Sequence, residues 1–462
     1  MTDLQTSRRE FLRQCACVAG GVGFASTFGS FQLASAAVGP GDSFNDYRAL
    51  VCVFLFGGND SFNMFVPTGT AAYQAYADAR QNLAVPTSSL LGVTPLGQSE
   101  PYGFHSDCAP LHRMFNSGQL AVVSNVGTLL APTTRAQYQA RSVPLPPRLF
   151  SHNDQQALWQ TLQANSQVKN GWAGRVADRF SQVIPSAQQQ FATNISLSGT
   201  NLFQTGASSS PYGVSSGGVP VLRGLRASNT REAARRAVFE GLLTDANLAS
   251  RHPFLREFSQ VQRRARDQAE TIGTALDALT PLTTTFPSSR LGDQLQMVSR
   301  LIAIRSTLNV RRQIFFVGMG GFDTHGDQAR RQPQLLGDLS QALEAFNLAT
   351  TELGLNDQIV TFTNSDFGRT LTSNGDGSDH GWGGHALVMG GSVVGQRLYG
   401  TFPSLEIGGP DDTRGGRLIP TTSADQYGAT IARWFGMADA DLNAAFPNLS
   451  NFTTRNLGFM TP

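Results

Sequence analysis

The strongest signal along the chain is a set of short runs that are apolar at nearly every position. Three of these runs end in turns that contain glycine or asparagine and then aspartate: Ala49 to Phe56, Gln313 to Gly318 and Gln358 to Phe362. Leu120 to Val126 and Ala386 to Met389 form similar runs. Strands that are apolar on both faces are typical of the centre of a parallel sheet that is covered by helices.

The longer segments between these runs show helical periodicity. Apolar residues recur every three to four positions in Asn229 to Leu248, Phe254 to Leu279, Arg290 to Leu308 and Pro333 to Leu353. Strands that alternate with helices predict an α/β fold with a doubly wound, mostly parallel sheet between layers of helices. We expect one domain over residues 37–462, with 229–310 as a candidate helical cap inserted into it. The Gly-, Ser- and Pro-rich segments 205–219 and 372–384 are predicted to be surface loops.

The first 36 residues have the pattern of an export signal rather than of folded structure. Ser7-Arg8-Arg9-Glu10-Phe11-Leu12 precedes a weakly apolar run, and Ala34-Ser35-Ala36 supplies the small residues of a signal peptidase site. The paired arginines resemble a twin-arginine (Tat) signal, whose pathway carries proteins that are already folded. We therefore expect the Tat translocase as a partner during export, a mature chain that begins near Ala37, and a periplasmic or secreted location. A basic N-terminal helix is the alternative interpretation.

Composition narrows the classes of function. The 35 basic and 33 acidic side chains leave a net charge of +2, which gives no reason to expect a nucleic-acid partner. No later run approaches the roughly 20 apolar residues of a membrane-spanning helix, so we predict no membrane span in the mature form. Two cysteines follow the signal. Cys52 is predicted to be a buried small hydrophobe, and a disulfide to Cys108 is an alternative in an oxidising compartment.

Candidate chemistry lies at the ends of three predicted strands. Asp60, Asp323 and Asp366 each follow an apolar run, and ligands of open α/β sheets bind outside the carboxyl ends of the strands. Asp323-Thr-His325 follows one strand, and a segment with Asp379, His380 and His385 follows another. Mixed Asp and His ligands suit Zn, Mn or Fe, whereas carboxylates alone favour Mg or Ca. We expect a divalent metal cofactor (Zn, Mn, Mg or Ca; one or two ions), although each aspartate is also typical of a helix N-cap or a turn.

Five segments together resemble one bacterial family. They are VCVFLFGGNDSFNMFVP, FSHNDQQALWQT followed by GWAGR, GGFDTHGDQ, FTNSDFGRT, and GSDHGWGGHALVMGG. The chain is similar to the Tat-exported domain-of-unknown-function family fifteen-oh-one of the alkaline phosphatase and sulfatase superfamily, and the similarity runs in order through nearly all of the mature chain. The resemblance implies an alkaline phosphatase-like fold.

The resemblance also implies a metal-ligand set. By their order along the chain, five residues fit ligand positions of the superfamily: Asp60, Asp323, His325, Asp366 and His385. Superfamily members commonly have a histidine directly after the strand-end aspartate, but Phe367 follows Asp366 here. Asp379 and His380 in the next loop are candidate replacements. This departure leaves one metal, or an altered pair of metals, as alternatives.

The candidate catalytic groups are Ser151, at a position that the resemblance implies, and Arg369, which lies three residues after Asp366. Esterases of the superfamily place a nucleophile at the start of a helix, and Ser151 opens an amphipathic segment that extends through Trp159. Thr133 and Thr134 are alternative nucleophiles, and Ser151 is also typical of a helix cap. The planar guanidinium of Arg369 is a candidate clamp for a developing oxyanion, or alternatively the ion-pair partner of a strand-end carboxylate.

Two classes of function follow from these observations. The first is an exported, metal-dependent hydrolase that acts on phosphate or sulfate esters of a small molecule or a polymer. The second is a non-catalytic exported binding or assembly protein on an alkaline phosphatase-like scaffold, with a co-exported protein as its candidate partner.

Overall fold

The computed structural model describes residues 44–164, 167, 169–219, 225, 229–244 and 253–461. The predicted export signal at 1–36 lies outside these residues, as does the C-terminal end of the helix predicted to finish at Leu248. Within the described part of the chain, no helix is both long and apolar enough to cross a membrane.

Strands and helices alternate through much of the chain, as the apolar pattern predicts, but residues 359–423 contain six strands and no α-helix. The strands are β1 (Arg48–Leu55), β2 (Phe65–Pro67), β3 (Leu90–Val93), β4 (Tyr102–His105), β5 (Leu120–Gly127), β6 (Asn194–Ser196), β7 (Tyr212–Gly213), β8 (Arg312–Met319), β9 (Ile359–Ser365), β10 (Arg369–Ser373), β11 (Ser378–His380), β12 (Gly384–Met389), β13 (Leu398–Tyr399) and β14 (Thr422–Ser423). The helices are α1 (Ser61–Met64), α2 (Thr70–Arg80), α3 (Ala109–Asn116), α4 (Arg135–Ala140), α5 (His152–Thr161), α6 (Trp172–Val183), α7 (Thr230–Thr244), α8 (Pro253–Asp277), α9 (Arg290–Ala303), α10 (Gln328–Glu352), α11 (Ala424–Trp434) and α12 (Leu442–Ala445).

The central sheet has the order β13-β5-β12-β9-β1-β8-β6-β7, and β14 pairs with β5. Its pairs are parallel except for those of β12, which runs antiparallel to both β5 and β9. All five predicted apolar runs form strands of this sheet. The sheet is flanked by helices, so the predicted α/β fold is confirmed.

The central strands are buried along almost their whole length because helices cover them. Every residue of β5 and β8 is buried, and so is all of β1 except Arg48. Cys52 is a fully buried thiol within β1, as predicted. Both Cys52 and Cys108 are free thiols, so the alternative of a disulfide between them is not realised.

The four predicted helices correspond to α7, α8, α9 and α10. They belong to the compact unit Asp46–Pro462 that also contains the sheet. In α8, Ile272 and Leu276 are buried in the same hydrophobic cluster as residues of β1 and β8. The segment predicted as a helical cap therefore shares part of its core with the sheet.

The prediction of a surface loop at 372–384 is wrong, because a β-hairpin occupies much of this segment. β10 pairs antiparallel with β11, with Arg369 opposite His380 and Ser373 opposite Ser378. The Asn374 side chain accepts hydrogen bonds from the N–H groups of residues 376 and 377, and Gly375 has a φ of 111°. Asn and Gly supply the turn that closes such a hairpin. The segment 205–219 also contains a strand, β7, at the edge of the sheet.

Candidate metal centre

Three neighbouring parallel strands bring their terminal turns to one edge of the sheet. β1 pairs with β8 on one side and with β9 on the other, and Asp60, Asp323 and Asp366 follow these strands. The turns approach each other closely at Gly57, which has a φ of 113°. A Cβ at this position would lie 2.4 Å from the main-chain nitrogen of Asp323. A glycine is therefore required where the turn after β1 meets the turn after β8.

Three histidines face the carboxylate of Asp323. The Nε2 atoms of His325 and His380 lie 3.1 and 3.3 Å from its Oδ1, and Nε2 of His152 lies 3.4 Å from its Oδ2. These histidines come from the turn after β8, from β11 and from the first position of α5. The site thus assembles four residues from three distant parts of the chain.

Each of the three histidines is held at its other ring nitrogen by an oxygen. Nδ1 of His152 lies 2.7 Å from Oδ2 of Asp366, Nδ1 of His325 lies 3.2 Å from Oδ1 of Asp379, and Nδ1 of His380 lies 2.7 Å from the Phe150 carbonyl. A carbonyl or an ionised carboxylate oxygen only accepts, so Nδ1 is the protonated nitrogen that donates. In the neutral form of each ring, Nε2 therefore carries a lone pair. In each of the three rings, this lone pair lies on the side nearest Asp323.

This arrangement fits a bound cation. Nε2 of His325 and Nε2 of His380 lie only 2.8 Å apart, and two unprotonated ring nitrogens at that distance repel unless a proton or a cation lies between them. Nε2 of His152 is buried without a hydrogen-bond partner. One ligand atom each from His152, Asp323 and His380 lie within 4.8 Å of one another. Imidazoles oriented by outer oxygens, together with one carboxylate, are the donor set that zinc and related metals prefer.

The electrostatics of the site follow from burial and from these partners. Burial raises the pKa of Asp366 above its usual range, although hydrogen bonds from Gln156, His152 and Gly57 oppose the shift. The pKa of Asp323 is lowered, because its contacts with Arg369 and the histidines outweigh the opposite effect of burial. Burial lowers the pKa of His380. A neutral His380 and an ionised Asp323 are the forms that bind a metal.

Arg369 positions the central aspartate. Its Nη1 donates to Oδ1 of Asp323 over 2.7 Å and to the Gly57 carbonyl over 3.2 Å. Its Nε and Nη2 donate to the hydroxyl and the carbonyl of Ser378. The guanidinium is fully buried. The contacts of Arg369 are thus those of an ion-pair partner for a strand-end carboxylate, which was the alternative to an oxyanion clamp.

Two of the predicted metal ligands, Asp60 and His385, contact other groups of the protein. Asp60 forms a buried ion pair with Arg80 of α2 and also accepts from Gln328 of α10. His385 is buried among aromatic rings, 4.4 Å from the ring centre of Phe62 and 5.1 Å from that of Phe402. Burial lowers the pKa of His385 to about 3, so it is neutral at physiological pH.

The predicted nucleophile lies next to the cluster in sequence. Ser151 is the N-cap residue of α5 and directly precedes His152. Its hydroxyl donates to Oδ2 of Asp154 over 2.6 Å. Thr134 is instead the N-cap of α4, where it forms a capping box with Gln137.

Sequence reasoning missed His152 as a member of the cluster. The residue lies inside the quoted segment FSHNDQQALWQT, but it follows no apolar strand, so the strand-end pattern gave no reason to select it. Its position at the start of a helix beside the candidate nucleophile was the signal that could have found it. Phe367, which replaces an expected histidine, packs against this cluster instead, with its ring centre 4.9 Å from that of His152 and 4.5 Å from that of His380.

The fold and the cluster define an α/β protein with a candidate imidazole-rich metal centre at the carboxyl edge of its sheet. The chain belongs to the family described as "Protein of unknown function (DUF1501)", whose pattern matches residues 47–415. No curated protein sequence matches the chain.

Two solved structures show distant similarity. One is Ps i-CgsB in complex with k-i-k-neocarrahexaose, at 9% identity and a TM-score of 0.35, covering 86% of this chain and 74% of the other. The second is the soluble domain of lipooligosaccharide phosphoethanolamine transferase A from Neisseria meningitidis, at 8% identity and a TM-score of 0.31, covering 90% and 95%. Similarities at this level carry no argument about function.

Proposed function

We propose that this protein is an exported, metal-dependent hydrolase of phosphate or sulfate esters on an alkaline phosphatase-like scaffold. The observation that carries the proposal is the convergence of three histidine Nε2 atoms on the carboxylate of Asp323, with every histidine oriented by a separate oxygen. Histidines and a carboxylate that converge on one point, with each ring oriented by an outer oxygen, are the arrangement found at zinc sites.

The residues that would hold the metal are His152, His325, His380 and Asp323. A bound divalent ion would supply a Lewis acid for the ester oxygen and would lower the pKa of a coordinated water. Asp366 and Asp379, first considered as ligands, instead accept hydrogen bonds from two of these histidines. In the proposal they fix the ring orientation and the tautomer.

The remaining residues of the site position these groups. Arg369 fixes the carboxylate of Asp323, and Phe367 forms an apolar wall against two of the imidazoles. Ser151 is the proposed nucleophile, because its hydroxyl lies 2.6 Å from a carboxylate oxygen of Asp154 that can accept the proton. Phe150 and His152, on either side of Ser151, both contact the cluster.

The proposal of export rests on the twin-arginine pattern at Arg8 and Arg9. A Tat substrate folds before it crosses the membrane, so a metal would bind in the cytoplasm. Lysine at both positions is expected to retain the chain in the cytoplasm, as measured by cell fractionation and by sequencing the N-terminus of the mature product. Processing near Ala37 in this variant at the unmodified rate would contradict export by this pathway.

The central experiment compares metal content with turnover. Purified mature protein is analysed for bound metals, its melting temperature is measured with and without a chelator, and it is assayed on a panel of phosphate and sulfate esters. His152→Ala is expected to reduce bound metal to less than about a tenth and to abolish the effect of the chelator. His112→Ala is the matched control, because His112 lies on α3 and hydrogen-bonds to the Gly92 carbonyl. Absence of both stoichiometric metal and turnover after reconstitution would refute the proposal.

A non-catalytic binding or assembly role is the second candidate. Two observations favour it: Asp60 is neutralised by Arg80, and all three guanidinium nitrogens of Arg369 already donate to protein groups. In that case the protein would bind metal stoichiometrically without turning over any ester. Ser151→Ala would then leave its cellular function unchanged, whereas loss of function in this variant favours the enzyme.

A further inference from the structure

A separate surface of the protein concentrates exposed apolar side chains. Nine large apolar residues in the described part of the chain are exposed, and six of them lie on α7 and α8. They are Val238, Leu242, Phe254, Leu255, Phe258 and Val261, and Phe254 is 80% exposed. Single exposed apolar residues are ordinary, but a contiguous group marks a surface for interaction.

Five of these six residues lie toward one end of a helical hairpin. α7 and α8 are antiparallel, because Arg236 pairs with Glu270 over 2.9 Å and Arg266 pairs with Glu240 over 3.0 Å. Arg263 of α8 also donates to the Leu243 carbonyl of α7 over 2.9 Å. This contact lies nearer to the last residue of α7 than the two ion pairs do. Thr244 ends α7 and Pro253 begins α8, so Leu242 and the four exposed apolar residues of α8 lie beyond the ion pairs, whereas Val238 lies level with them.

A basic band lies directly behind the apolar tip. Arg231, Arg235, Val238 and Leu242 follow the spacing i, i+4, i+7 and i+11, which places them on one face of α7. All four are exposed. Arg235 lies about 4.5 Å from Val238 along the helix axis, at a rise of about 1.5 Å per residue. The carboxylates of Glu240 and Glu270 are paired with Arg236 and Arg266 within the hairpin, so they offset little of the charge of this band.

Apolar side chains at the end of the hairpin, with arginines behind them, match the order of layers at a membrane surface, where the acyl chains lie beneath the phosphate groups. Apolar side chains of interfacial helices enter the boundary between headgroups and acyl chains to a depth of about 5–10 Å, and arginines one or two turns behind them reach the lipid phosphates. Anionic lipids add an attraction of opposite charge to the arginines.

We propose that the tip of the α7–α8 hairpin docks this protein on an anionic membrane surface. Leu242, Phe254 and Phe258 enter the interface, and Arg231 and Arg235 contact lipid phosphates. The chain does not span the bilayer in this arrangement, and the proposal is independent of the metal centre.

The test is sedimentation of the full mature protein with lipid vesicles. Vesicles of phosphatidylcholine alone are compared with vesicles that also contain phosphatidylglycerol, at low and at high salt. We expect binding to the anionic vesicles that weakens as salt increases. The double variant Leu242→Ser and Phe258→Ser is expected to lower the partition coefficient by about tenfold or more. Arg231→Gln with Arg235→Gln is expected to lower it about tenfold at low salt and little at high salt.

Leu348→Ser is the matched control, because Leu348 is 54% exposed on α10. It should leave the partition coefficient unchanged, and equal melting temperatures show that every variant is folded. A wild-type protein that does not bind anionic vesicles would overturn the proposal, as would an equal loss of binding in the control. A concentration-dependent dimer that disappears in the Leu242→Ser and Phe258→Ser variant, without vesicle binding, would assign the surface to a second copy of the chain instead.

Discussion

Asp60 and Asp323 follow neighbouring strands of the same sheet, yet the structure gives them different surroundings. Asp60 is 1% exposed and pairs with the fully buried Arg80. Asp323 is partly exposed and faces three imidazole nitrogens. Both carboxylates pair with a buried arginine, but only Asp323 also faces imidazole nitrogens and solvent, so only Asp323 is placed to reach a bound cation.

The difference lies in the elements that cover each strand end. α2 and α10 cover the end of β1 and contribute Arg80 and Gln328, both of which donate to Asp60. The turn after β8 is covered by the start of α5 and by the β10–β11 hairpin, which contribute His152 and His380. The role of an aspartate at a strand end therefore depends on which side chains of the covering helices and hairpins contact it.

The largest expected effect is the loss of the buried ion pair. Arg80→Met leaves Asp60 buried and charged without its cation, and we expect the free energy of unfolding to fall by about 3–5 kcal/mol. Urea denaturation measures this loss, and metal analysis of the folded protein should show unchanged binding. Adding Asp60→Asn to Arg80→Met should recover part of the lost stability, because it removes the unpaired charge.

An exposed ion pair provides the control for this experiment. Arg330 and Asp327 pair on the surface, with their side chains 67% and 48% exposed. Arg330→Met should cost no more than about 1 kcal/mol. If Asp60→Asn alone instead removed the bound metal with little change in the urea midpoint, Asp60 would be a ligand, and the contrast between the two aspartates would be lost.

The sequence predicted the sheet more completely than the site because apolar strands are a local signal. β1, β8 and β9 were each identifiable from one uninterrupted run, and their parallel alignment placed Asp60, Asp323 and Asp366 at one edge. The partners of these aspartates were not identifiable, because Arg80 and His152 lie on helices far from their partners in sequence. Helical periodicity predicts that a helix covers the sheet, but it does not predict which turn of that helix reaches the strand ends.

The β10–β11 hairpin is a second part of the site that the sequence did not predict. Its strands are short and polar, and its turn is rich in Gly, Asn and Asp, so composition favoured a loop. Pairing across the hairpin nevertheless places Arg369 opposite His380, and both then reach Asp323. The sequence identified His325, Asp379 and His380 individually, but their orientation depends on this pairing.

A second prediction compares the two carboxylates that orient ligand histidines. Asp366 is fully buried, so no water can replace it as the acceptor for His152, and Asp366→Ala is expected to weaken metal affinity by about 10- to 100-fold. Asp379 is 49% exposed, and water can accept from His325 in its place, so Asp379→Ala should weaken affinity by less than about threefold. Titration of the folded apoprotein with Zn²⁺ measures both. Equal losses in the two variants would show that burial of the outer carboxylate is irrelevant to the site.

The smallest effect concerns Asp425, an aspartate that is buried like Asp60 but accepts its hydrogen bonds from an asparagine instead of an arginine. Asp425 is also 1% exposed, and its carboxylate accepts from the main-chain and side-chain nitrogens of Asn448. Burial raises its pKa to about 7, against about 3.9 in an unfolded chain. The folded state therefore holds a proton that the unfolded state releases between these two values, so stability falls as pH rises through this window.

Between pH 6 and pH 8, the titration of Asp425 should remove about 1 kcal/mol from the free energy of unfolding. Asp425→Asn keeps an oxygen for Asn448 and should abolish this component in urea titrations, because the amide does not titrate. The control is Asp439→Asn, since Asp439 is 70% exposed, and this variant should lose stability between the two pH values as the wild type does. If the wild type and Asp425→Asn instead changed stability equally between pH 6 and pH 8, Asp425 would already be ionised in the folded protein at pH 6. Burial alone would then not decide the charge of an aspartate in this fold, and the contrast between Asp60 and Asp323 would have to rest on their partners alone.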